Sequence, residues 1–347
     1  MLLSTDYINP ADLTGYVRAA LADREANQFS LNRFLPNRLV DDLTYRFLRG
    51  GGGLTEAATF RAYDAESSIA GRVGVERVTG ELPPISRKIR MGEYDSLRQR
   101  RLDGAIRGQI MSDAVNMVRS VAARIELARG EALATGAVSI AEDGLVVEAD
   151  FGRDPSHTVG SATPWSDDQN AQILQELITW RDKYEDTNGV APGTILTSRK
   201  VLARMLRNAE IRQLAATVAG TPTLVPQAAL QQTLQAYGLP PVQTYDAKVS
   251  VGGSAQRVIN EDLLLMLPPA VDADAWEDTE LGATFWGTTA EALDPSFQIE
   301  ESEAPGIVAG SYRTEDPVAV WTKAAAISLP VLANPDLSLA ADTEAGS

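Results

Sequence analysis

Apolar positions along this chain change their spacing several times, and each change marks an element. In residues 11–27, Leu13, Val17, Ala20 and Leu21 fall on one face and predict a helix. A longer helical period runs through Leu102, Ile106, Ile110, Ala114, Val118, Val121, Ile125, Ala128 and Ala132. It predicts a helix from about Ser96 to Thr135, roughly 60 Å long at 1.5 Å per residue, with Gly136 as its left-handed cap. Arg119, Arg124 and Arg129 are expected to point away from its apolar stripe. Ser166 with Gln169 reads as a capping box opening a further helix. The inner stripe of that helix is Ile173, Leu177, Trp180 and Tyr184, and Gly189 ends it. RKVLARMLRN and PQAALQQTLQAYG read as two more helices, the second opened by Pro226 and closed by Gly238.

Elsewhere the spacing shortens to that of strands. AVSIAEDGLVVEADFG alternates around Asp143-Gly144 and reads as a hairpin. GTILTS, PVQTYD, KVSV, AQRVI and DLLLMLP read as strands, and AVWTKAAAISLPVLAN returns as strands after an acidic stretch. The tail DTEAGS is expected to be mobile. NRFLPNRLVDDLTYRFLR has no amphipathic period and reads as an extended arm. It leads into RGGGGL, where Gly50, Gly51, Gly52 and Gly53 lie in a row. Beyond them, strand-like pieces separated by glycines and by Pro83-Pro84 share no buried face. They read as a long hairpin that needs a neighbour to bury its surface. The fold class is α+β.

Composition narrows what such a fold can be for. The 347 residues exceed one average domain, and 44% of them are hydrophobic, enough for a sizeable core. Net charge is −16, which disfavours general binding to nucleic acid or to anionic membranes. The charge is uneven: residues 1–130 carry about 19 bases and 16 acids, whereas residues 260–347 carry about 17 acids and 2 bases. Such asymmetry suits contact between a basic part of one subunit and an acidic part of the next. Cysteine is absent, which removes disulfides, thiolate metal sites and cysteine nucleophiles.

Candidate chemistry is sparse. The glycine run is followed by Leu54, Thr55 and Glu56, where a phosphate-binding loop needs Lys and then Ser or Thr. It reads as a hinge, since glycine gives the backbone freedom at little steric cost. The single histidine, His157, follows Asp154-Pro155-Ser156 and reads as a turn or surface residue. No nucleophile elbow accompanies it. VDADAWEDTE fails calcium-loop spacing and reads as a solvated loop. No catalytic, cofactor-binding or metal-ligating residue is assigned.

The order of parts and several local stretches carry a resemblance. NRFLPNR, ARGEALATGAVSIAEDGLVVEADFG, SATPWSDDQNAQILQELITW, LLMLPP with LGATFWGTTAEA, and WTKAAAISLPVLANPD together resemble the lambda-type major capsid protein E family of tailed bacteriophages, which has the Hong Kong ninety-seven fold. The resemblance spans about Leu13 to Asn334. It implies an N-terminal arm (1–54), an extended hairpin loop (55–95), a peripheral domain with a spine helix (96–164), an axial domain (165–300), and a return to the peripheral domain with a C-terminal tail (301–347).

It also implies a structural protein, not an enzyme. Such subunits form pentamers and hexamers that close an icosahedral shell around double-stranded DNA, in a virion assembled in the bacterial cytoplasm. The expected partners are further copies, a separate scaffolding protein, a portal and a decoration protein. An encapsulin-like shell enclosing cargo enzymes is the alternative, and a carboxylate-dependent hydrolase a more distant one. Arg61, Arg72, Arg77, Arg87, Lys88 and Arg90 in the loop are candidates for pairing with Glu300, Glu301 and Glu303 of a neighbour. Gly50 to Gly53 are the candidate joint between arm and loop.

Overall fold

Asn9 caps the first helix, its side chain accepting from Ala11 N at 3.0 Å, and Pro10 occupies the first turn, where a missing N–H costs nothing. The computed structural model describes residues 8–49, 76–99, 103–142, 144–215, 222–316 and 318–345. Helix α1 (Pro10–Asn27) buries Leu13, Val17 and Leu21, as their spacing predicts. Strands β1 (Asn37–Leu39), β2 (Thr44–Arg49), β3 (Glu76–Glu81) and β4 (Pro84–Met91) follow, then α2 (Glu93–Gln99) and α3 (Asp103–Thr135). The 33 residues of α3 span about 50 Å. Its stripe from Ile106 to Ala132 is buried, and Leu102 lies outside the described residues.

Strands β5 (Ala137–Glu142) and β6 (Leu145–Asp150) form the expected hairpin, with Gly144 at a φ of 84°. Strand β7 (Thr158–Gly160) precedes α4 (Ile173–Asn188), β8 (Thr194–Thr197), α5 (Arg199–Arg207), α6 (Ala209–Leu214) and α7 (Gln227–Ala236). Strands β9 (Val242–Thr244), β10 (Lys248–Val251), β11 (Ser254–Arg257) and β12 (Leu263–Leu267) complete this stretch. The chain closes with β13 (Gly282–Gly287), β14 (Val308–Glu315), β15 (Val318–Leu332) and β16 (Leu339–Asp342).

Among the described residues, two five-stranded sheets organise the molecule. In the first, β15 is central. Its residues 320–325 pair with β14 on one edge and β4 on the other, both antiparallel. Its C-terminal end pairs with β13, which in turn pairs in parallel with β1. Thus β13 and β14 follow one another along β15, and residues 288–307 form an excursion between them. The second sheet has the order β7-β16-β12-β8-β9. Helix α3 packs across β15 and also touches β12 and β16.

Several expectations change. The hairpin expected within 55–95 is paired differently: β3 pairs with β2, from Thr44↔Glu81 to Arg49↔Glu76, while β4 joins the first sheet. The glycine run therefore lies between the two strands of one ribbon rather than between arm and loop, although Gly50 to Gly53 themselves lie outside the described residues. The two sheets do not divide at residue 300, since β13 belongs with β15, and β16 joins the second sheet. Ser166 does not cap α4, which starts at Ile173. Glu344 takes Ser166 instead, accepting from its N–H at 3.0 Å and from its hydroxyl at 2.9 Å. Of the tail expected to be mobile, Asp342 closes β16, Thr343 is buried and Glu344 docks on Ser166, while Gly346 and Ser347 lie outside the described residues.

Candidate assembly interface

Strand β4 carries the three described basic candidates, and strand alternation splits them. Arg87 faces α3, its Nη1 donating to Ser120 Oγ at 2.9 Å. Lys88 and Arg90 share the opposite face of the sheet, where Lys88 Nζ lies 4.8 Å from the Trp321 ring centroid. Arg90 stands beside Trp321 in register, and Trp321 stacks on Tyr312 with centroids 6.3 Å apart. All three bases are exposed. Arg77 stands in β3 opposite Leu48, but its side chain, like all of Arg61 and Arg72, lies outside the described residues.

The excursion 288–307 has five acids and no base. Ala292, Phe297, Ala304 and Val308 form a small apolar cluster that gives it a core of its own. Glu291 pairs with Lys323 on β15, and that ion pair holds the Glu291 carboxyl below its ordinary range against the opposing effect of burial. Arg18 on α1 fastens the returning limb, donating to the carbonyls of Glu303 at 2.8 Å, Ile307 at 3.0 Å and Pro305 at 3.2 Å. The side chains of Glu300, Glu301 and Glu303 are exposed. Among the described residues, no ion pair joins these three glutamates to Arg87, Lys88 or Arg90 within one chain.

Beneath these surfaces lies a buried ionic strut that sequence spacing assigns to solvent. Residues 125–130 of α3 are buried all round, because the helix runs between the first sheet, α1 and the β9–β12 region. Arg129, expected to point away from the core, is only 1% exposed. Its Nη1 reaches Glu25 Oε1 at 2.8 Å and Glu126 Oε2 at 3.2 Å, its Nη2 reaches Asn37 Oδ1 at 2.7 Å, and its Nε reaches Thr284 Oγ1 at 2.9 Å. Glu126 Oε1 accepts from Tyr245 at 2.6 Å and from Leu31 N at 3.1 Å. One guanidinium thus joins α1, the arm, the spine helix and β13, and Glu126 adds the segment after β9.

Burial pulls the Arg129 pKa down, but Glu25 and Glu126 more than offset it and hold it above its usual value. Burial pushes the Tyr245 hydroxyl up, and the Glu126 carboxylate pushes it further. The signal for this strut is a charged pair three residues apart, Glu126 and Arg129, set among the apolar and small residues of IELARG.

A second buried arginine closes the far end of α3. Arg153 donates to the carbonyls of Leu133 at 3.0 Å and Ala134 at 2.7 Å, where a cation complements the helix terminus. His157, expected at a turn or on the surface, does lie in a single turn, Pro155–His157, but it is fully buried, with its ring 6.2 Å from that of Tyr184.

A long helix crossing a sheet built on β15, with a ribbon extending from it and a second sheet beyond, is the architecture of Hong Kong ninety-seven-fold capsid subunits. A prophage capsid protein of E. coli CFT073 superposes with a TM-score of 0.63 at 14% identity, covering 96% of this chain and 99% of that one. A phage-related protein of Bordetella bronchiseptica RB50 gives 0.58 at 12% identity, covering 97% and 98%. A virus-like particle from Pyrococcus furiosus gives 0.50 at 11% identity, covering 94% and 98%. No curated protein sequence matches the chain. Residues 10–343 match the phage major capsid protein E family, and the chain belongs to that family. It is a shell-forming capsid protein and a component of the virion. Among the described residues, no helix is long and apolar enough to cross a membrane.

Proposed function

We propose that copies of this chain form the pentamers and hexamers of an icosahedral head enclosing the double-stranded DNA of a tailed bacteriophage. The observation that carries this reading is the β2–β3 ribbon. It pairs over six residues on each strand with no third strand among the described residues. Its base is anchored where Tyr45 packs on Phe285 with centroids 5.9 Å apart. A two-stranded ribbon is marginal in water, so the rest of it gains from lying on a neighbouring subunit. In this scheme residues 44–81 reach over the neighbour, α3 is the spine of the peripheral domain, and the second sheet with α4–α7 is the axial domain. The run Gly50–Gly53 supplies bending freedom just past β2.

Lys88 and Arg90 on one copy and Glu300, Glu301 and Glu303 on another are the proposed ionic contact between subunits. The acid-rich shell holds DNA loosely, since tight binding needs many phosphate-neutralising bases. Scaffolding, portal and decoration proteins are proposed partners by the same family likeness, with assembly in the host cytoplasm. Negative-stain microscopy of the purified protein, with and without a co-expressed scaffold, tests the reading. Closed shells or ring capsomers support it. A protein that stays monomeric under every condition refutes it, and shells that package protein cargo in place of DNA favour a compartment instead.

A further inference from the structure

The chain enters the second sheet twice side by side. Residues 153–157 lead into β7, and residues 333–338 bring the chain over from β15 into β16. The two entering strands pair in parallel, Thr158 opposite Ala340. The approaches are stitched together as well: Asp154 N donates to Asp336 Oδ1 at 2.7 Å, and Arg153 Nη1 reaches Ser338 Oγ at 3.4 Å. Helix α4 covers them, with the Tyr184 hydroxyl donating to Leu337 O at 3.1 Å and Asn188 Nδ2 to Asp336 O at 2.9 Å. His157, the sole histidine of the chain, lies at the centre of this double entry with no exposed surface. Among the described residues, neither ring nitrogen makes a hydrogen bond of ordinary geometry.

We propose that His157 is an acid-sensitive pin in the joint between the two sheets: adding a proton to its imidazole loosens the paired entries of β7 and β16 and releases the C-terminal strand. An imidazole here is a neutral packing group. A proton from solvent turns it into a cation that must be hydrated, and the site offers no water-facing surface. The charged and titratable groups facing it do not remove the conflict. On its own segment are Arg153, already a cation, and Asp154, whose carboxylate accepts from Ser156 N at 2.8 Å. On the other approach is Asp336, whose Oδ1 is engaged by Asp154 N. From α4 come the neutral Tyr184 hydroxyl and, beyond it, Lys183.

Burial holds the His157 pKa below its ordinary value, against weaker opposition from Asp336, Asp154 and the backbone of Ser338 and Asp336. The sign follows. The unfolded chain binds this proton more readily than the folded one, so stability is complete above about pH 6.5 and falls as the pH drops below it. The strand released is the one that carries Glu344 to Ser166, so the effect reaches the loop that leads into α4. None of this depends on whether the subunit builds a DNA-filled head or another shell.

One histidine gives one imidazole signal, which makes the test direct. Full-length protein with labelled histidine is titrated from pH 8 to pH 5 by NMR, in solution for free subunits or in the solid state for shells. The expected midpoint lies below about 6.5, and a midpoint at or above that value overturns the proposal. Hydrogen exchange of peptides covering 153–160 and 336–343 is followed in parallel, corrected for intrinsic rates. Between pH 7 and pH 5.5 the wild type should lose protection roughly five- to tenfold, and His157→Phe should abolish the change. The same loss in His157→Phe overturns the proposal. If that variant does not fold, the wild-type titration decides alone.

Discussion

The Arg129 guanidinium meets the Glu25 carboxylate at 2.8 Å, bringing together residues 104 positions apart, both almost wholly buried. Removing one partner of such a pair leaves an uncompensated charge in a dry environment. Arg129→Met should therefore cost about 3–5 kcal/mol in chemical denaturation. The triple variant with Glu25→Gln and Glu126→Gln, which removes all three charges, should lose less than the single one. Equal or greater loss in the triple variant would show that the strut acts through packing and not through charge.

Two glycines of α3 should respond in opposite directions. A methyl group added at Gly108 would meet nothing within 4 Å beyond its own helix, so Gly108→Ala should stabilise the helix by up to about 1 kcal/mol. At Gly130 the same methyl would sit 2.5 Å from Val258 O, a backbone atom. Gly130→Ala should cost about 1–3 kcal/mol and lower the protection of residues 254–258 in hydrogen exchange.

Arg204 connects the C-terminal turn to the second sheet, reaching Asp262 at 2.6 Å and Glu344 at 3.1 Å. Burial raises the Asp262 pKa, but Lys200 and Arg204 overcome it and leave it depressed. A depressed carboxylate contributes stability above its unfolded value, near 3.8, and that contribution disappears as the pH falls through the folded value. Arg204→Gln should cost about 1–2 kcal/mol at pH 7 and progressively less as the pH falls below about 3.8. A penalty independent of pH would exclude the ionic origin.

Reversing charge on β4 should separate folding from assembly. Lys88→Glu with Arg90→Glu should leave the melting temperature of the free subunit within a few degrees, since both side chains are exposed. It should reduce shell yield and weaken the dependence of assembly on salt. Reversing Glu300, Glu301 and Glu303 to Lys in the same chain should restore part of the yield. Unchanged assembly in the first variant would remove these residues from the interface. Arg87→Glu should behave differently, because it disturbs the contact with Ser120 on α3 inside the subunit.

Local pattern made much of this fold readable. The stripe of α4, the strand TILT, the turn at Gly144 and the caps at Gly136 and Gly189 are decided by neighbours a few residues away. The misreadings share one cause, which is competition from distant residues. Ser166 has the chemistry of a helix cap, yet Glu344, 178 positions on, takes its hydroxyl and N–H. Arg129 lies off the apolar stripe by period alone, and only the packing of α1 and β13 around α3 makes its side internal. β3 and β4 look like two arms of one hairpin, but β3 pairs along its whole length with β2, and β4 along its whole length with β15. For the assembly surface, the sequence grouped Arg87, Lys88 and Arg90 as one set of candidates. It did not show that Arg87 bonds Ser120 on α3 of its own subunit.

The excursion 288–307 leaves and rejoins one line of the first sheet, and Gly306 N meets Gly287 O at 3.1 Å where its ends close. Its length is therefore independent of the strand register on either side. A segment of this kind can be exchanged for a longer or shorter one while β13, β14 and β15 keep their pairing. A foreign peptide inserted directly after Leu293, whose side chain is exposed and outside the small apolar cluster, would be repeated once per subunit over the particle.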